Sequence, residues 1–76
     1  MRTREFVRRY RPWLELMVGR LHCMLDDDTV RREIRRSAEW IPFLKPGTID
    51  ALCSEAVKIH GRNRKLYRHV MGGHIR

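Results

Sequence analysis

Three features of the sequence predict an all-α fold. Apolar residues recur at helical spacing from Phe6 to Met71. No stretch alternates polar and apolar residues in the manner of a half-buried strand. Clusters of Asp, Pro and Gly cut the chain into segments of helical length. Together they imply three or four helices with short connections, in one compact bundle over residues 1–76. A chain of this length buries only roughly 60% of the surface its unfolded form exposes, so a partner or a second copy would add to a modest core.

The first element is carried by Phe6, Val7, Tyr10, Trp13, Leu14, Met17, Val18, Leu21, Met24 and Leu25. Val7, Leu14 and Leu21 stand seven apart, and Tyr10, Met17 and Met24 follow each of them by three. So wide a stripe packs against more than one helix, or against another chain, which makes residues 6–25 a candidate homodimer seam. Pro12 removes a hydrogen bond and crowds the preceding turn inside a helix, but is accepted in a first turn. The main helix is therefore expected from about Arg11 to Leu25, with residues 1–10 as a basic arm or kinked short helix.

Asp26, Asp27 and Asp28 suit the positive end of the next helix, with Asp27 or Asp28 as its cap. Val30, Ile34, Ala38 and Ile41 form its apolar side, and Arg31, Arg32, Arg35 and Arg36 fill the rest. Pro42 and Pro46-Gly47 then stop the helix and turn the chain. Trp40, Ile41, Phe43 and Leu44 are too apolar for a free loop and are expected to fold back onto the core. Thr48 caps a third helix with Ile49, Leu52, Cys53, Ala56 and Val57 inward, and Gly61 ends it in the left-handed conformation. Asn63 caps a fourth, with Leu66, Tyr67, Val70 and Met71 inward, closed by Gly72 and Gly73. Residues 72–76 make a flexible tail.

The charge points to the class of partner. Fourteen Arg and three Lys stand against nine acids, a formal net charge of +8. A field of that sign attracts polyanions, and Arg forks match phosphates and carboxylates. The unit from Thr48 to Met71 has the outline of a helix-turn-helix, two helices joined by Gly61-Arg62-Asn63. In such a unit Asn63, Arg64 and Lys65 would face base edges, and Lys58, Arg62 and Arg68 would hold phosphates. Arg31, Arg32, Arg35 and Arg36 form a second set, whose like charges at i, i+4 call for an anion.

The sequence thus reads as a small non-enzymatic nucleic-acid-binding protein, a regulator (of transcription, for instance) or accessory factor, with DNA ahead of RNA as partner. The alternative is a small protein-binding modulator or inhibitor, of the type a phage or mobile element encodes, that docks an Arg-rich and apolar face on an acidic surface of a larger protein. Cys53 and His60 are two helical turns apart, too far for a catalytic pair, and no Gly-rich phosphate loop is present. The Cys and His intervals lack the close pairs of a zinc site, so neither metal nor cofactor is expected. Trp13, Tyr10 and Trp40 are read as core residues first and stacking platforms for bases second. Two cysteines make no disulfide framework, and no apolar run reaches the ~18 residues of a membrane span, so the chain is expected to be soluble and cytoplasmic.

Overall fold

The computed structural model describes residues 3–74. They form three helices, α1 (Thr3–Gly19), α2 (Asp27–Ala38) and α3 (Pro46–His74), and no strand occurs among them. Direction follows from side-chain contacts. Arg11 of α1 meets Glu55 of α3, and Glu15, one turn on, meets Arg62. Arg35 of α2 meets Asp50, while Asp27, at the start of α2, meets Arg64. Hence α1 runs parallel to α3 and α2 antiparallel to it. Both pack mainly on α3 and little on each other.

The core is Leu14 and Val18 from α1, Val30, Ile34 and Ala38 from α2, and Leu52, Cys53, Ala56 and Ile59 from α3; all but Ile59 are positions that the periodicity marks, and Ile49 and Val57 are only partly buried. Phe6, Val7, Tyr10, Trp13, Met17 and Leu21 pack around it, half-buried. Phe6 stacks on Tyr10 at 4.5 Å, and Tyr10 meets Trp13 edge-on at 6.2 Å. Most of the wide stripe of α1 therefore packs within the chain, while Met24 is 52% exposed.

Helix boundaries differ from expectation in four places, each for a physical reason. Residues 3–10 are not an arm, because they belong to α1, which is continuous through Pro12. Pro12 is exposed, so water can satisfy the Arg8 carbonyl that its missing N–H leaves free, while Phe6, Val7 and Tyr10 anchor the first turns on the core. The helix ends at Gly19 rather than Leu25. Tight i→i+3 bonds, Arg20 N to Met17 O and Leu21 N to Val18 O, close its last turn. The cap of α2 falls on Asp26, which has extended backbone and whose carbonyl accepts from Val30 N. Asp27 and Asp28 occupy the first turn instead. α3 opens at Pro46, a position where a missing N–H costs nothing, rather than at Thr48.

The largest difference lies in the C-terminal half. The turn expected at Gly61-Arg62-Asn63 is not formed. α3 is one helix of 29 residues, and it passes through Gly72 and Gly73 as well. Among the described residues no glycine has positive φ, so Gly61 is an ordinary helical residue with open space where a Cβ would stand. A helical Gly costs only about 1 kcal/mol relative to Ala, which neighbouring packing easily offsets. A helix of 29 residues is about 43 Å long, which accounts for molecular extents of 50 × 21 × 15 Å. Met1, Arg2 and the tail residues 75 and 76 lie outside the described residues.

Gly61→Ala separates the two geometries. In a continuous helix it should stabilise the protein by about 0.5–1 kcal/mol, raising the thermal midpoint by a few degrees. A left-handed turn at Gly61 would make the same change destabilising.

Candidate functional site

The α3 cations do not act as one set. Arg64 is turned inward. Its guanidinium donates to the carbonyl of Cys23 at 3.2 Å and of Leu25 at 2.6 Å, and it lies 3.7 Å from the Asp27 carboxylate. It also lies 3.4 Å from Nδ1 of His60, one turn earlier. His60 is buried, and its Nε2–H donates to the carbonyl of His22 at 2.9 Å. The two side chains therefore hold three carbonyls of the α1–α2 connection: the His22 carbonyl also accepts from Leu25 N at 3.2 Å, whereas those of Cys23 and Leu25 rely on Arg64. Arg64 is not available to read a base edge, and Asn63 is half-buried beside it. Arg62 is exposed but reaches Glu15 at 3.4 Å. Lys58, Lys65 and Arg68 remain on the outer surface, without an ion pair among the described residues.

The α2 cations are arranged differently. Arg35 is paired with Asp50, and that carboxylate's hydrogen bond and charge hold its guanidinium more firmly protonated than usual. Arg31, Arg32 and Arg36 are exposed and form no ion pair among the described residues. This face is not continuous with Lys65 and Arg68. The backbone of Arg31 lies at Cys53, whose Sγ donates to the Arg31 carbonyl at 3.6 Å. Fifteen residues, about 22 Å of helix, separate Cys53 from Arg68, and the acidic start of α2 stands between them.

The α2–α3 turn holds what the sequence did not reveal. Ile41 and Leu44 fold inward, but Trp40 is 84% exposed and Phe43 fully so. Phe43 has φ of 65°, which a bulky residue adopts only at a cost of about 1–3 kcal/mol. Trp40 lies in the turn just past the end of α2, two residues beyond Ala38, where its N–H bonds the Ser37 carbonyl in a tight i→i+3 turn. Pro42 and Lys45, beside them, are also exposed. The result is a row of arginines that leads to two aromatic rings facing solvent. No local pattern in the sequence separates the exposed Trp40 and Phe43 from the partly buried Ile41 and Leu44.

The remaining candidates carry little chemistry. Burial pushes the Cys53 thiol above its usual range, which suits packing and not nucleophilic attack. Cys53 and His60 are engaged with different backbone carbonyls. Among the described residues no group of three or more His, Cys, Asp or Glu could hold a metal ion. Arg4, Arg8 and Arg11 line a shallow cleft with Val7 and Glu55, where Arg11 meets Glu55 at 3.6 Å. No described helix is long and apolar enough to cross a membrane. Comparison with protein-family models, with curated proteins and with solved structures finds no match for this chain.

Arg64 and Lys65 are adjacent in sequence and opposite in role. Arg64→Ala should destabilise the fold by about 2–3 kcal/mol, because it removes charged hydrogen bonds and leaves carbonyls without partners. Lys65→Ala should stay within about 0.5 kcal/mol, as for an ordinary surface change. Urea denaturation of the two variants measures the difference.

Proposed function

We propose that this chain is a small non-enzymatic nucleic-acid-binding protein that takes single strands along the outer face of α2. The observation that supports it is the junction of two features. Arg31, Arg32 and Arg36 form no ion pair among the described residues, and the turn that follows α2 carries Trp40 and Phe43 with both rings exposed. Cations that track a phosphate backbone beside aromatic platforms for bases are the two components of single-strand recognition. Within a duplex the faces of the bases are already stacked, so exposed rings have nothing to stack on. The strained backbone at Phe43 agrees with this reading, since such conformations cluster at binding sites.

The reading departs from the one based on a helix-turn-helix. Arg35, Arg62 and Arg64 are engaged with the chain's own carboxylates, so they contribute less than Arg31, Arg32 and Arg36. Lys58, Lys65 and Arg68 lie on α3, away from the rings, and supply general attraction through the field of the molecule. The alternative of a protein-binding modulator finds support in a separate surface, the far end of α3.

Anisotropy titration of a labelled oligothymidine or oligouridine tests the proposal. Trp40→Ala and Phe43→Ala should each weaken binding by about 1–3 kcal/mol, the usual worth of one stacked base. The salt slope should be about 2, from three phosphates at ~0.7 each, and should fall in Arg32→Gln and Arg36→Gln. Equal affinity for duplex and single strand, or no effect of removing the two rings, would overturn it.

A further inference from the structure

α3 is longer than the bundle that it supports. Its covered stripe, Leu52, Cys53, Ala56, Ile59 and His60, faces α1, α2 and their connection. The stripe does not stop there. Leu66 and Val70 follow Ile59 at intervals of seven and four, and Tyr67 and Met71 follow His60 in the same way, so all four prolong the same face. Arg64, however, marks the level at which α2 begins, because it pairs with Asp27. Residues 65–74, about 15 Å of helix, extend past that level. Leu66, Tyr67, Val70 and Met71 are consequently 59, 41, 54 and 42% exposed.

The charge around this stripe is of one sign. No Asp or Glu occurs after Glu55, and Lys65, Arg68 and His69 flank or back the four apolar residues. The geometry points to a docking helix: the α3 overhang inserts into an apolar groove, rimmed by carboxylates, on a partner protein. Recognition of this kind reads an amphipathic helix through anchors three, four and seven apart; here Leu66 and Val70, and Tyr67 and Met71, stand four apart, and Tyr67 and Val70 three.

Two other occupants fit less well. Two overhangs laid against each other would set Lys65, Arg68 and His69 against their like, and four half-exposed side chains offer a few hundred Å², below the ~800 Å² per partner of a stable dimer. An anionic lipid surface would meet Asp26, Asp27 and Asp28. These three are exposed at the foot of the stripe, on the side where His60 and Arg64 hold the α1–α2 connection. A groove encloses the helix alone and avoids both conflicts. The overhang lies at the opposite end of α3 from Trp40 and Phe43, so this inference stands independently of the nucleic-acid reading.

Calcium-loaded calmodulin is a suitable probe, because it presents an acidic, methionine-rich groove that closes when calcium is removed. The full chain, titrated by calorimetry, should bind it in calcium and not in chelator. Leu66→Asp with Val70→Asp should weaken binding by about 30-fold or more, as for central anchors. Lys65→Gln with Arg68→Gln should weaken it less and flatten its salt dependence. These positions are exposed, so thermal melts of the variants should match the parent. No calcium-dependent binding, or unchanged affinity in the Leu66 and Val70 variant, would overturn the inference. So would self-association seen by light scattering, or binding to phosphatidylserine vesicles in place of the probe, that the same variant abolishes.

Discussion

The fold depends on how the carbonyls of the α1–α2 connection find donors, above all those of Cys23 and Leu25, for which Arg64 is the donor. When α1 ends at Gly19 and α2 starts at Asp27, the connection exposes the carbonyls of His22, Cys23 and Leu25 to the interior face of α3. His60 and Arg64 answer them, one turn apart on the same side of α3. These bonds are partly shielded from water, and losing a charged donor there costs about 1–3 kcal/mol, a large share of the stability of a domain this small. The bonds also impose a condition on α3. His60 and Arg64 point the same way only if residues 60–64 are helical, so the requirement that closes the α1–α2 connection also keeps α3 whole at Gly61. A turn at that position would carry Arg64 away from the carbonyls.

The same condition sorts the cations into inner and outer groups. Arg35, Arg62 and Arg64 serve the chain itself, through Asp50, Glu15 and the captured loop. Arg31, Arg32, Arg36, Lys58, Lys65 and Arg68 do not, and they fall into two groups at different levels of the molecule. A continuous α3 separates those groups. It sends the Lys65 and Arg68 segment beyond the bundle, and it leaves the α2 arginines beside the Trp40 and Phe43 turn. Two exposed surfaces of different character, one aromatic and cationic, one apolar with cationic flanks, are consequences of one unbroken helix.

The bundle's core was legible in the sequence because periodicity marks apolar faces, but periodicity does not say what covers a face: Leu66, Tyr67, Val70 and Met71, expected inward, are exposed. Leu14, Val18, Val30, Ile34, Ala38, Leu52, Cys53 and Ala56 are where the spacing of apolar residues puts them. Boundaries were less legible, since Pro12 and Gly61 are local signals that tertiary contacts override: Pro12 by facing water, Gly61 by the demand of Arg64. The candidate interface was legible only in part. The α2 arginines stand out by their like charges, but nothing local distinguishes Arg64 from Lys65, because the carbonyls that recruit Arg64 lie 39 and 41 residues away. Trp40 and Phe43 were hidden for a related reason. Hydrophobicity states what a side chain prefers, and their exposure arises from how Pro42 and the start of α3 aim the turn.

The central claim is that α3 runs unbroken through the residues that hold the α1–α2 connection. Backbone chemical shifts with amide exchange, measured by solution NMR over residues 58–66, test it most directly. The account predicts helical Cα shifts without interruption, and protection at Arg62, Asn63 and Arg64 comparable to that at Ala56 and Ile59. Loss of helical shifts at 61–63 with fast exchange there, while the flanking residues stay helical, would contradict it.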